Sequence, residues 1–415
     1  MIQRWSAPLC LSAAAMLPYS GAKAGVWGMD PVLGITGDYA TNPVLLDTPH
    51  TAQTDAALLI AAPTTYNGGD LKLSILPSFR IGDTRSYSSV NSDYEHLNVK
   101  GEFATERSAF TATAGVTRDS SLYLNYLANG AAGVRRDGAA ADLNGARFLT
   151  ENLELNADVD TTHVRYASAA GVTALVDYKY TSVSPTLAWN SAERDKFTVT
   201  ASAGQYDSLD GATRSRNANL QLGFARQVTE IWTLTASGGF SRALNRLVLD
   251  EYLVLTPQGI GISTVPVGEV LQVYPARAES SQNGAVYSVN LTRTGERLTL
   301  NAGASRQETP TGFAFLSRLE TLELHAAYAL TARWSLGANA RYVNAQDPDQ
   351  AQAGRLYGRT VKNFGLDATW QWTEHWTVSL AASRITERYE SPHLDPASNQ
   401  IAVTISRKFN HVGFQ

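Results

Sequence analysis

Cysteine is all but missing from this chain. Of 415 residues only Cys10 is one, and it sits in the N-terminal segment. From residue 25 onward disulfides, thiol nucleophiles and Cys-ligated metals are therefore excluded. A cysteine-free segment suits a protein exported unfolded through an oxidising compartment. Long apolar runs are missing too: beyond residue 24 no stretch reaches the roughly 18 apolar residues of a membrane helix. Charge is sparse, at 17% Asp, Glu, Lys and Arg, with a net charge of −4. No basic patch stands out, which argues against nucleic acid as a partner. Mean hydropathy is slightly negative, at −0.19. A chain this polar can still cross a bilayer if only every second strand residue faces lipid.

The first 24 residues read as a signal peptide. Arg4 gives the positive start, Trp5 to Met16 is mostly apolar, and Ala22-Lys23-Ala24 forms an A-x-A cleavage site before Gly25. Pro8 and Pro18 break the apolar run, which is too short for a membrane anchor. Leu9 is too large to precede a lipidated Cys10. Removing Arg4 and Lys23 would shift the net charge from −4 to −6. The expected organisation is a signal at 1–24 and one barrel at 25–415.

What the chain has in abundance is a returning turn phrase. Polar residues around Thr-Glu or Ala-Arg precede an aromatic or Leu, and strict alternation follows. Examples are Leu149-Thr150-Glu151-Asn152 before Leu153, Val228-Thr229-Glu230-Ile231 before Trp232, Leu330-Thr331-Ala332-Arg333 before Trp334, and Thr373-Glu374-His375 before Trp376. A turn recurring at roughly forty residues, each time joining two alternating segments, predicts an up-and-down antiparallel meander.

The alternation is one-sided. Leu234, Ala236, Gly238 and Phe240 alternate with Thr233, Thr235, Ser237 and Gly239; Leu336, Ala338, Ala340 and Tyr342 alternate with Ser335, Gly337, Asn339 and Arg341. A soluble sandwich would carry bulky apolar residues on its inner face and Lys and Glu outside. Here one face is apolar and the other small and polar, which suits lipid outside and a wet lumen inside. The fold class expected is all-β: a single transmembrane up-and-down antiparallel β-barrel of about 18 strands, within a range of 16 to 20, with no plug domain. Short turns would be periplasmic, and so would both termini. Trp189, Trp232, Trp334, Trp372 and Trp376 flank the short turns as a periplasmic aromatic girdle. Tyr166, Tyr206, Tyr342 and Tyr389 are candidates for an outer girdle. The longest link, about 246–281, reads as a hairpin continuing its neighbours, with an inward loop or two further strands as alternatives.

The chain resembles the outer-membrane β-barrel family of exopolysaccharide and PEP-CTERM loci, the beta-barrel porin 2 type. The likeness rests on Gly37-Asp38-Tyr39-Ala40-Thr41-Asn42-Pro43, on the turn phrase, on Gly115-Val116-Thr117-Arg118-Asp119-Ser120, and on the last strand ending near Phe409. The six-residue tail Asn410 to Gln415 and the long apolar link depart from it. The resemblance implies passage of a secreted polymer across the Gram-negative outer membrane and supplies no catalytic motif. The partners to expect are outer-membrane lipid and lipopolysaccharide, the polysaccharide itself, periplasmic or inner-membrane synthesis and export proteins, and the barrel assembly machinery.

His163 follows Asp158, Asp160, Thr161 and Thr162 near a strand end and could act as a rim base. A histidine in a polar rim is the commoner situation, and no spacing suggests a metal or cofactor site. The expected pore-lining residues are Asp158, Asp160, Glu323, His325, Asn339, Arg341 and Asp367, among many Asn and Gln positions. The expectation is a non-enzymatic exopolysaccharide conduit. The alternatives are a general diffusion porin, a barrel scaffolding a periplasmic partner, and a rim-site enzyme.

Overall fold

The computed structural model describes residues 25–43, 45, 52–84, 94–120, 134–167, 175–256, 259–263, 269–310, 316–346, 357–391 and 395–414. The proposed signal at 1–24 lies outside them. Among the described residues every regular element is a strand. In chain order the first eleven are β1 (Val26–Met29), β2 (Val32–Ala40), β3 (Gln53–Ala61), β4 (Thr64–Gly68), β5 (Leu71–Thr84), β6 (Tyr94–Ala104), β7 (Ser108–Ser120), β8 (Arg135–Phe148), β9 (Leu153–Tyr166), β10 (Tyr178–Ala192) and β11 (Asp195–Ser208). The rest are β12 (Thr213–Gln227), β13 (Trp232–Thr256), β14 (Gly259–Ser263), β15 (Glu269–Thr294), β16 (Leu298–Pro310), β17 (Leu316–Ala329), β18 (Trp334–Gln346), β19 (Tyr357–Gln371), β20 (Trp376–Ser391), β21 (Ala397–Lys408) and β22 (Val412–Phe414).

All pairings are antiparallel, and β2 pairs with β21, so the sheet closes. Of the 22 strands among the described residues, β1, β4, β14 and β22 stand outside the ring, which leaves a closed barrel of 18. Closure removes every edge that would otherwise leave backbone donors unpaired in lipid.

The short turns form because of their threonines. The Thr331 hydroxyl accepts hydrogen bonds from the N–H groups of Arg333 (3.2 Å) and Trp334 (3.1 Å). Thr150, Thr229 and Thr373 do the same for Asn152 and Leu153, Ile231 and Trp232, and His375 and Trp376. The side chain thus satisfies donors that the ladder leaves behind, as in other Thr-based turns.

Register then sorts the faces, because directly opposed residues share one side. Leu220 faces Phe240, Leu222 faces Gly238, and Leu234 faces Leu291. This apolar lattice points outward: Phe240 is 73% exposed and Leu222 66% exposed. Such a surface is unfavourable in water and favourable against lipid tails.

Four short strands, β1, β4, β14 and β22, were not foreseen. β1 pairs with β4 and β22 beneath the short-turn end, where Trp27 stacks on Phe414 at 6.2 Å. Phe414 therefore belongs to this small sheet and not to the closing strand. His411 and Lys408 approach Asp30 at 3.3 and 3.4 Å, and the hydrogen bond from His411 leads in holding its carboxyl below the usual range. Pro63 and Pro77 mark where β5 changes partners, from β4 to β3; the Ala62 N–H donates to the Pro77 carbonyl at the crossing. Over the link at 246–281, the backbones of β13 and β15 pair from Trp232↔Arg293 up to Leu255↔Glu269, and β14 folds back on the end of β13. This is a paired hairpin continuing the wall.

Candidate functional site: the lumen and its constriction

The register that sends Leu, Val and Phe outward sends small polar groups inward. Asp158 and Asp160 of β9 face the lumen, opposite Asn144 and Asp142 of β8. Asn144 donates to Asp158 at 3.1 Å, and Ser182 donates to Asp160 at 3.3 Å. One oxygen from each of Asp142, Asp158 and Asp160 lies within 4.8 Å of the others. Exposed carboxylates gather in this way without any ion, so the cluster is read as wall charge.

The facing wall carries the other predicted positions. Glu323 opposes Arg341, His325 opposes Asn339, and Asp367 opposes Gly337, all on the inner side of β17, β18 and β19. Glycines make room for them. A Cβ on Gly337 would collide with the Asp367 carboxylate, and one on Gly365 with the Asn339 amide. Asn219, Gln221, Asn290, Asn301 and Asn363 share the inner face.

Of the predicted aromatic ring, Trp189, Trp232, Trp334 and Trp376 stand on the outer face at the short-turn end, opposite Phe197, Arg293, Trp370 and Arg407. Trp372, in the turn after β19, stacks on Trp370 at 6.0 Å. Trp370 is a further member.

Two expectations need correction. His163 pairs with Ala139 and Lys179 on the outward face, while Asp158 and Asp160 point inward. The side-chain period of two puts 163 and 160 on opposite sides of the sheet. Its Nε2 instead accepts from Arg165 at 3.2 Å, so a rim base supported by those aspartates does not exist. Tyr166 shares the inward face of β9 with Val164 and is no outer-girdle residue, and neither is Tyr206. It faces inward and is fully buried, stacked on Tyr178 at 5.2 Å, with Tyr166 packed beside them.

What buries Tyr206 is the feature sequence reasoning missed. β15 and β16 stop pairing at Tyr287↔Arg306, yet β16 and β17 stay paired up to Pro310↔Leu316. The freed end of this hairpin leans across the barrel. Leu316 lodges among Val164, Tyr178 and Tyr206 on the inner wall of β9, β10 and β11. Leu319 packs on Val343, Val361 and Ile385 of β18, β19 and β20, with Leu45 from the link after β2 alongside. The hairpin end thus bridges two separate arcs of wall and narrows the lumen at the long-link end. Glu308 and Arg318 form a buried pair within it at 3.7 Å. Around the same level, inward ion pairs join Arg136 to Asp119 (2.6 Å), Arg80 to Asp55 (2.7 Å) and to Asp38, and Arg359 to Glu387. Asp38 and Asp119, from the two segments singled out by sequence, are both part of this charged belt.

No family model matches the chain, and no curated protein matches it. Several solved outer-membrane structures are similar over most of its length. Pseudomonas aeruginosa OccK2 (OpdF) in complex with glucuronate is 11% identical, with 92% of this chain and 98% of that one covered and a TM-score of 0.43. The copper transporter OprC is 10% identical, with 95% and 82% covered and a TM-score of 0.45. A bacterial polysaccharide outer membrane secretin is 9% identical, with 92% and 98% covered and a TM-score of 0.35. At these values nothing about function is transferred from them.

Proposed function

We propose that this barrel is a non-enzymatic outer-membrane channel that conducts a secreted exopolysaccharide from periplasm to cell surface, with its short turns and both termini periplasmic. The observation that carries the reading is the chemistry of the lumen wall. Neutral amides and hydroxyls line it, with charges either paired or confined to a few positions. Such groups exchange hydrogen bonds with sugar hydroxyls, and weak multi-site contact permits movement. The inward hairpin end acts as the gate, and moving it aside would uncover Tyr178 and Tyr206, whose flat faces suit sugar rings. In this reading the channel works with periplasmic or inner-membrane synthesis and export proteins and reaches the membrane through the barrel assembly machinery.

The test is single-channel conductance of the refolded full-length protein in a planar bilayer, with polysaccharide added to one side. Block that deepens with polymer length supports the conduit. A steady conductance indifferent to polymer selects a small-solute porin instead, the second reading. Glu323 and Arg341, side by side on the inner wall, favour that one, since wall charges of both signs tune the passage of small ions.

A further inference from the structure

The outward face is apolar through most of the membrane band, with cations such as Lys179, Arg216 and Arg242 towards its far edge, and one outward pair stands over a groove. Lys362 of β19 and Arg384 of β20 both face outward, since Lys362 opposes Tyr342 and Thr386, while Arg384 opposes Phe364 and Asn399. They are diagonal neighbours on adjacent strands. Both are exposed, and among the described residues no ion pair joins either to a carboxylate. Beneath them lies a groove of about 480 Å³ floored by Leu322, Leu324, Ala340 and Phe364. Phe364 and Leu322 are each 53% exposed.

Their height is fixed by counting along the strands. Trp376 to Arg384 and Trp370 to Lys362 are each eight residues. At about 3.3 Å per residue and a tilt of about 40°, that is roughly 20 Å above the tryptophan ring. The apolar band of such barrels is about 25 Å tall. The two cations therefore stand near its far edge, where lipid headgroups begin. Bare charges facing lipid are unfavourable, and a headgroup anion removes the penalty while donating Lys and Arg N–H bonds find acceptors.

We propose that this groove holds a phosphorylated glycolipid of the outer leaflet, with Lys362 and Arg384 on a phosphate, Tyr342, Thr386 and Asn399 near the sugar, and an acyl chain along Leu322, Leu324 and Phe364. Charge complementarity above an acyl-compatible floor is the argument, and the sugar-level hydroxyl and amide groups favour a glycolipid over a glycerol headgroup. The assignment rests on the reading that the long links face the cell exterior.

The experiment uses the full-length protein, delipidated in detergent and titrated with bisphosphorylated lipid A, its dephosphorylated form and phosphatidylglycerol, with bound lipid read by native mass spectrometry. Wild type should prefer bisphosphorylated lipid A. Lys362→Gln with Arg384→Gln should weaken it at least tenfold, while Lys179→Gln with Arg216→Gln, outward at another part of the rim, should not. Heat-modifiable gel migration checks that both variants are folded barrels. Equal binding by the first double variant, or undiminished binding of dephosphorylated lipid A, overturns the proposal. Phosphatidylglycerol held as tightly as lipid A also overturns the glycolipid assignment. Separately, Gly261→Cys on intact cells should react with a membrane-impermeant maleimide. If it does not, the orientation fails, and the outer-leaflet occupant with it, even where phosphate-dependent binding survives in detergent.

Discussion

Replacing Leu316 with alanine should loosen the constriction without loosening the barrel. Leu316 is 2% exposed and touches Val164, Tyr178 and Tyr206 across the lumen, not its own strand neighbours alone. Truncating a buried leucine costs about 2–5 kcal/mol, comprising lost transfer energy and the cavity left behind. The loss falls on the closed position of the hairpin end, because the β-ladder of the ring does not depend on Leu316 beyond its last pair with Pro310. Taking the lower figure of about 2 kcal/mol, the closed-to-open ratio drops roughly 30-fold, since each 1.4 kcal/mol is a factor of ten. In planar bilayers the time-averaged conductance should rise and closing events should shorten. Adding Leu319→Ala, which removes the anchor on Val343, Val361 and Ile385, should take the effect further. A reducible cross-link between Leu316→Cys and Tyr206→Cys, in a barrel with no other cysteine, should hold conductance low until dithiothreitol is added. Unchanged conductance in Leu316→Ala, with the heat-modifiable barrel intact, would refute the gate.

Thr331→Ala should destabilise the barrel by about 1 kcal/mol through loss of the hydroxyl acceptor for Arg333 and Trp334 N–H, with Thr331→Ser retaining most of it; urea unfolding followed by tryptophan fluorescence reads both. Arg359→Ala leaves Glu387, 1% exposed, without its ion-pair partner, at a cost of about 3–5 kcal/mol in the same assay; recovery in Arg359→Met with Glu387→Met is expected, and a single-variant loss below about 1 kcal/mol would contradict it. Asp158→Asn with Asp160→Asn should reduce cation preference, seen as a smaller reversal potential across a KCl gradient. His163→Ala, on the outward face, should leave that potential where it is and abolish no lipid or peptide turnover.

The alternation of Leu and Ala with Thr, Ser and Asn was enough to outline the strands of the ring and their two faces, though not the short strands β1, β4, β14 and β22, because a side-chain period of two leaves no freedom once one face is apolar. Asp158, Asp160, Glu323, His325, Asn339, Arg341 and Asp367 all take the side that this parity assigns them. Parity applied consistently would also have separated His163 from Asp160. The turn phrase was legible as punctuation, but the reason for its threonine, a hydroxyl accepting two backbone N–H groups, is visible only in three dimensions.

The constriction is different in kind. Val164, Tyr178, Tyr206 and Leu316 are ordinary strand residues in sequence, and Tyr206 looks like an interface tyrosine. Their burial depends on where the β16–β17 hairpin parts from β15 and leans, which joins residues more than a hundred positions apart. The Lys362–Arg384 pair depends likewise on the register between β19 and β20. Local pattern therefore determined the wall and its two faces, since those follow from backbone geometry within each strand. What crosses the lumen and what gathers on the outer surface was decided by tertiary structure, because long-range register and packing have no local period to betray them.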